Sequence, residues 1–209
     1  VQALQAERIL LNILGGLSGI ATNVALWSEA AGEIDVAATR KADWGLLHKW
    51  AVHVGGGLTH RLSRGDALMI KENDIAAMRL HGEGDAEALR RVVMSMDMDE
   101  HSDFTVFEVR EVNQALVVAS AWDHVQKMRG GADRVVILLD NMGPVGACQV
   151  NEVLSESGLR HRCVLEGSGG VGFDSLSEWN ESGVDIVSSS ALNRGVVPLD
   201  LSMLFEGGS

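Results

Sequence analysis

The sequence predicts an α/β protein built on a parallel sheet, open or closed into a barrel. Short β-branched runs alternate with helical stretches along most of the chain, which is the order of βαβ units. Runs such as Val135–Leu139 (VVILL) are apolar throughout, as strands are when helices cover both faces of a sheet. Polar and charged residues then recur at the C-terminal ends of six successive strands, the place where barrels carry their active sites.

The elements follow in order. Leu4–Ala31 is rich in Leu, Ile and Ala at helical spacing, with Leu10, Leu14 and Leu17 on one stripe. Gly15, Gly16 and Gly19 predict breaks in it. Strands are expected at Ile34–Ala38, Ala67–Lys71, Phe104–Val109, Val135–Asp140, Cys163–Glu166 and Val184–Ser189. Helices are expected at Trp44–His53, Ala86–Met94, Val112–Met128, Val145–Ser157 and Asp174–Ser182. A single barrel domain over residues 1–209, preceded by a helical segment of about residues 1–31, accommodates all of them.

With 209 residues and 46% apolar side chains, the chain can bury a substantial core. The uninterrupted apolar runs are short of a membrane span, no basic-then-apolar leader opens the chain, and no membrane partner is expected. Cys148 and Cys163 lack a metal or redox spacing, so packed thiols in a reduced, cytoplasmic setting are expected. The net charge of −12 argues against nucleic acid as a partner. Yet Thr39–Lys71 carries six cations (Arg40, Lys41, Lys49, Arg61, Arg64, Lys71) against Asp43 and Asp66, a window of +4 in a remainder of −16. His48, His53 and His60 lie in the same window. An acidic protein that gathers its cations in one place points to a small anionic ligand.

The strand ends specify the chemistry further. Arg40, His60, Arg61 and Lys71 would form a dense cationic pocket, whose mutual repulsion an anion with two carboxylates would offset. Lys71 alone could instead form a Schiff base. Glu108 and Asp140 end neighbouring strands and could share Mg²⁺, directly or through its waters, hydrogen-bond sugar hydroxyls, or simply cap helices. The LEGSGG loop, Leu165–Gly170, offers backbone N–H groups and the Ser168 hydroxyl to a phosphate, and Ser188–Ser190 offers a second set. The VGGGLTHR stretch, Val54–Arg61, places three glycines just before His60 and Arg61. They are expected to let backbone pass close to a ligand.

These residues in this order resemble the quinolinate phosphoribosyltransferases, the carboxylating nicotinate-nucleotide diphosphorylases. The strings that carry the resemblance are AERILLNILGGLSGIAT (Ala6–Thr22), TRK (Thr39–Lys41), KWAVHVGGGLTHR (Lys49–Arg61), DALMIKEN (Asp66–Asn73), FEV (Phe107–Val109), LLDNM (Leu138–Met142), LEGSGG and GVDIVSSSAL (Gly183–Leu192). The resemblance implies an incomplete TIM-like α/β barrel of the type II phosphoribosyltransferases, with an N-terminal α+β domain apparently missing from this sequence. It also implies a homodimer. The implied reaction joins quinolinate to phosphoribosyl pyrophosphate with Mg²⁺ as cofactor, giving nicotinate mononucleotide, pyrophosphate and CO₂ for NAD biosynthesis. Two alternatives are a phosphoribosyltransferase for nicotinate or another aromatic acid, and a non-catalytic ligand-binding barrel.

By position, the resemblance implies that Thr39, Arg40, His60, Arg61 and Lys71 bind quinolinate, with Arg8 reaching into the neighbouring subunit's site. Lys41, Glu108 and Asp140 would be catalytic and face phosphoribosyl pyrophosphate, Glu108 and Asp140 holding Mg²⁺. Ser168, Gly169, Ser190 and Arg194 would hold phosphate. The chain departs from the family pattern at Ala42, Asp74, Arg110, Ser190, Asn193 and Arg194. Arg110 puts a cation where the family carries an acid. Lys71→Ala and Arg61→Ala are expected to abolish diacid binding and spare phosphoribosyl pyrophosphate. Calorimetric titration with quinolinate checks this, and unchanged affinity in both variants would remove the pocket assignment.

Overall fold

The chain is described by a computed structural model covering residues 2–63, 65–97 and 104–204, with side chains from Ala6 onward. Arg64, counted above among the cations, lies outside the described residues. Helix α1 (Gln2–Ala31) leads into β1 (Asp35–Ala38), α2 (Leu46–Val54), β2 (Ala67–Ile70), α3 (Glu72–Met78) and α4 (Asp85–Ser95). Then come β3 (Phe104–Val109), α5 (Val112–Arg129), β4 (Val135–Asp140), α6 (Gly143–Glu156), β5 (Cys163–Ser168), α7 (Leu176–Glu181) and β6 (Ile186–Ser189). All six expected strands form, within two residues at each end.

The strands make one parallel sheet in the order β1-β6-β5-β4-β3-β2, curled into a half-barrel. Strand alternation separates its two faces. Phe107, Val109, Ile137, Leu139 and Leu165 point outward into the large core shared with the helices. Met69, Phe104, Val106, Val136, Leu138 and Val164 point inward and form a small apolar floor. Above that floor the inward positions turn polar.

Helix α1 is continuous, contrary to the expected breaks. Its glycines serve a close approach instead. A Cβ at Gly15 would lie 2.5 Å from the Leu199 carbonyl oxygen, and one at Gly19 2.4 Å from that of Val197. Leu199 N–H donates to the Gly15 carbonyl at 2.9 Å, strapping the C-terminal segment across the helix. Helical hydrogen bonds survive at glycine, whose cost of about 1 kcal/mol each is small beside tertiary packing. By length and composition Ala6–Ala31 would suffice to cross a membrane, although the contiguous apolar runs in the sequence are short. Ile20, Val24, Trp27 and Ala31 nevertheless pack in the protein core.

Sequence reading missed α3, which starts directly after Lys71. Its start is fixed by Asp74, whose carboxylate accepts the Lys71 backbone N–H at 2.9 Å, and Ile75 anchors it in the core.

The open edge of the half-barrel lies between β1 and β2, and the VGGGLTHR stretch closes part of it. Leu58 N–H donates to the Val36 carbonyl at 2.8 Å and Ala38 N–H to the Leu58 carbonyl at 2.9 Å, extending the sheet by a parallel bridge. The glycines admit protein rather than ligand. A Cβ at Gly55 would stand 2.4 Å from the Ala21 carbonyl oxygen, and one at Gly57 2.8 Å from methyls of Val24 and Val52. The expected approach to a bound ring is thereby corrected: the segment is wedged against α1 and α2.

Lys49 on α2 ties the bridge down. It is 5% exposed, and its Nζ donates to the Ala38 carbonyl at 2.7 Å and the Thr59 carbonyl at 2.5 Å. Burial, with the nearby Arg40 and Arg61 charges adding to it against Glu166, lowers its pKa to about 8. A neutral amine still has two N–H donors for its two carbonyls. The unfolded chain binds this proton more tightly than the folded one, so the stability arising at Lys49 increases as pH rises from about 8 towards 10.5. Denaturant unfolding of the wild type should therefore gain ground on Lys49→Met across that interval. A pH-independent difference between the two would refute the linkage.

Candidate functional site

The parallel register assembles the site. Glu108 lies opposite Leu138, and Leu138 opposite Glu166. One pleat further along, Asp140 lies opposite Ser168, and Ser168 opposite Ser188. All of these share the inward face, because side chains two apart point the same way. Continuing the β2–β3 register past Met69 and Val106 brings Lys71 level with Glu108. Continuing the β3–β4 register brings Arg110 level with Asp140.

Lys71, Glu108, Leu138, Asp140, Glu166, Ser168 and Ser188 line a cavity of about 290 Å³ with Thr39, Arg40, Lys41, His60, Arg61 and Met69, and Arg110 stands outside it. That volume suits a small molecule. The cavity is polarised. Arg40, Lys41, His60, Arg61 and Lys71 all come from the stretch 39–71, whereas Glu108, Asp140 and Glu166 come from β3, β4 and β5. The cationic stretch suits an anion, and the carboxylates, which meet it at Lys71–Glu108 and His60–Glu166, suit a developing positive charge or a metal ion.

Lys71, Glu108, Asp140, His60, Glu166 and Arg61 each have a definite partner. Lys71 Nζ contacts Glu108 Oε2, the carboxylate side chain being only 10% exposed. Asp140 accepts from Arg110 Nε at 3.1 Å and from Asn141 Nδ2 at 3.0 Å. His60 adopts φ 59°, and its Nε2 lies 2.7 Å from Glu166 Oε2. Phe104 meets the imidazole edge-on at 6.0 Å. Arg61 is buried, with Nη1 donating to the Ala67 carbonyl at 3.3 Å and Nη2 to Met69 Sδ at 3.3 Å. It therefore also pins the bridging segment to β2. After it, Asp66 accepts the Ser63 and Leu62 backbone N–H groups and the Ser63 hydroxyl, which hold its carboxyl below the usual range.

Residues that sequence reasoning passed over complete the site. Glu166 is 1% exposed, and its Oε1 has no hydrogen-bond partner among the described residues. A buried carboxylate half satisfied and facing a cavity is costly unless a ligand or cation shares it. In the sequence Glu166 shows only as the flank of a glycine loop. Lys49 shows in the sequence only as one cation of the 39–71 window. Asn193 is buried and donates to the Lys41 carbonyl at 2.9 Å, fixing the loop after β1.

Other expected residues stand apart from this cavity. Gly169 packs against Asn141: φ is 90°, and a Cβ there would lie 2.3 Å from Asn141 Oδ1. Ser190 opens a short 3₁₀ helix, Ser190–Leu192, and it is Ser188 that faces the cavity. Ser189 is turned away, donating to the Val171 carbonyl at 2.8 Å. Arg194 borders a separate open cavity beside α1 with Thr22 and Asn23. Arg8 is exposed on α1.

Among the described residues no group of three or more His, Cys, Asp or Glu is arranged to hold a metal. The two carboxylates Glu108 and Asp140 fit an ion that takes one or two carboxylates, waters and substrate oxygens, as Mg²⁺ does. They do not make a protein-only cage.

The chain matches the family model "Quinolinate phosphoribosyl transferase, C-terminal domain" over residues 20–204. It is 36% identical over 211 aligned residues to a probable nicotinate-nucleotide pyrophosphorylase [carboxylating] of Methanothermobacter thermautotrophicus, covering 98% of this chain and 69% of that protein. To the chloroplastic nicotinate-nucleotide pyrophosphorylase [carboxylating] of Arabidopsis thaliana it is 34% identical, covering 96% of this chain and 57% of that one. The crystal structure of NadC from Streptococcus pyogenes superposes with a TM-score of 0.76 at 32% identity, covering 97% of this chain and 65% of the other. The chain thus spans roughly two thirds or less of two of these proteins and slightly more of the third.

Because Arg61 holds both the cavity wall and the bridge, Arg61→Ala should lower the unfolding free energy by about 2 kcal/mol, the scale of lost hydrogen bonds to a charged group. Chemical denaturation tests this. An unchanged midpoint would show that the contacts to Ala67 and Met69 carry no stability.

Proposed function

The chain belongs to the quinolinate phosphoribosyl transferase family, and on that premise we propose that it transfers a phosphoribosyl group from phosphoribosyl pyrophosphate to quinolinate. The products are nicotinate mononucleotide, pyrophosphate and CO₂. The observation that carries this reading is the polarised cavity: five cationic or protonatable groups on one wall and three carboxylates on the other.

On the first wall, Arg40, Arg61 and Lys71 offset the desolvation of a dicarboxylate, which would otherwise oppose binding strongly. Arginine matches a carboxylate with two parallel hydrogen bonds, and His60, oriented by Glu166, adds a further donor. A ligand with one carboxylate would leave some of these cations uncompensated, which favours the diacid over nicotinate.

On the second wall, Glu108 stands where positive charge would develop at the anomeric carbon as pyrophosphate leaves. Lys41 and Ser168 line the same cavity and suit the phosphates. A bound Mg²⁺, held by Glu108 or Asp140 together with substrate oxygens, would neutralise diphosphate charge. Attack by the pyridine nitrogen breaks the bond from the anomeric carbon to the pyrophosphate oxygen. The positively charged ring nitrogen then stabilises the electron pair left on the adjacent ring carbon as the 2-carboxylate departs as CO₂. A proton taken up at that ring carbon completes nicotinate mononucleotide. No general base is required to begin.

Arg8 suits a site completed across a homodimer. It stands on α1 beside the exposed Ile9, Leu10 and Leu14, and the turn at Trp44 and α2 add exposed Trp44, Leu46, Leu47 and Trp50. An apolar surface of that extent favours self-association.

Purified protein supplied with phosphoribosyl pyrophosphate and Mg²⁺ should form nicotinate mononucleotide and release CO₂ from quinolinate. It should bind nicotinate at least about tenfold more weakly, the loss of one charge-assisted pair. Product from nicotinate alone would move the reading to the sister activity. Quinolinate binding without turnover in any metal would leave a binding barrel. In sedimentation the protein should be a dimer, and Leu10→Glu with Leu14→Glu should dissociate it and weaken quinolinate binding. A monomeric wild type that binds quinolinate fully would remove Arg8 from the site.

A further inference from the structure

The two carboxylates suited to a metal ion are each already met by a cation, and one of these cations has no role in the reading above. Lys71 contacts Glu108, and Arg110 bridges Asp140 and Glu72 at the start of α3. Arg110 is not a stray surface side chain. The register places it level with Asp140, and its backbone N–H donates to Gln114 Oε1 at 2.9 Å, fixing the first turn of α5. Its guanidinium contacts Asp140 through Nε and Glu72 through Nη1, and Nη2 makes no hydrogen bond among the described residues. It also lines a second cavity of about 210 Å³, which shares Glu108 with the main one.

We propose that Arg110 is the built-in cation of the diphosphate side, so that anion binding there does not depend on a divalent ion. This rests on the phosphoribosyl-transfer reading. An anion entering beside bare Glu108 and Asp140 would meet two like charges, and a divalent ion would have to offset both. With Lys71 on Glu108 and Arg110 on Asp140, each carboxylate has its own countercharge before any ion arrives. A guanidinium stays charged at every working pH and offers several N–H donors to phosphate oxygens. A divalent ion approaching Asp140 meets the guanidinium on Oδ2, so the same residue lowers the affinity of the ligand-free protein for metal.

The test is calorimetric titration of the intact chain with inorganic pyrophosphate, in EDTA and in Mg²⁺, for wild type and Arg110→Ala. Mn²⁺ binding followed by electron paramagnetic resonance, and quinolinate titration, are run in parallel. The wild type should bind pyrophosphate in EDTA within about threefold of its affinity in Mg²⁺. Arg110→Ala should lose about tenfold or more in EDTA, regain most of it in Mg²⁺, and bind Mn²⁺ about tenfold more tightly, the scale of one lost charge-assisted contact. Quinolinate affinity should not change. A wild type that binds pyrophosphate only with Mg²⁺ would overturn the proposal and leave the phosphoribosyl reading standing, as would full affinity of Arg110→Ala in EDTA. Loss of quinolinate affinity in the variant would make Arg110 a structural residue and also overturn it. No pyrophosphate binding by the wild type under either condition would overturn both.

Discussion

Everything chemical in this molecule depends on the register of a parallel sheet. A parallel ladder in fixed register carries side chains in levels, and a one-residue slip would turn every inward group outward. Here the lower level is apolar, Met69, Val106, Val136 and Val164. The next carries Glu108, Leu138 and Glu166, and the one above it Asp140, Ser168 and Ser188. The ion pairs Lys71–Glu108 and Arg110–Asp140 join residues that the extended register puts side by side. The outward levels pin it, because Phe107, Ile137, Leu139 and Leu165 are completely buried against the helices. The burial of each such side chain stabilises the fold by about 2 kcal/mol, so a slip that exposed them would cost far more than the polar level could return.

A half-barrel leaves an edge, and edges expose backbone groups that seek partners. The stretch from Gly55 to Arg61 answers that need on the β1 side through Leu58 and on the β2 side through Arg61. Holding it there requires a buried lysine, whose desolvation is large enough to depress its pKa to about 8. The same strap delivers His60 and Arg61 to the cavity. Closing the edge and furnishing the anion wall are therefore one structural act. That is why glycines wedged against α1 and α2 immediately precede the site residues.

The strands and most helices were legible in the sequence because their signals are local. Apolar β-branched runs and 3.6-residue periodicity survive without knowledge of neighbours. The site was legible as a set, since strand ends of an α/β sheet converge on one side. Its pairings were not, because Lys71–Glu108, Arg110–Asp140 and His60–Glu166 depend on register and curl. Helix α3 escaped notice because seven residues show too little periodicity to outweigh the strand before them. The glycines of α1 misled for a related reason. A glycine that ends a helix and one that admits a crossing chain look alike until Val197 and Leu199 are seen lying over Gly19 and Gly15. Glu166 looked like the flank of a loop, and only its burial and its half-satisfied carboxylate mark it as part of the cavity.

The separation of charge between the walls follows from chain order. The cationic wall comes from stretch 39–71, at the open edge, where two loops and the strap can bring several cations together without a strand between them. The carboxylate wall comes from β3, β4 and β5 in the middle of the sheet, where positions are rigid and one residue per strand reaches each level. Preorganised carboxylates stabilise a developing cation more than mobile ones do, since no reorganisation is needed at that moment. Arg110 is the exception to this division, a cation on the carboxylate side at the very end of β3. Its position at the margin, half exposed and tethered to α3 through Glu72, lets it shield Asp140 without occupying the cavity itself.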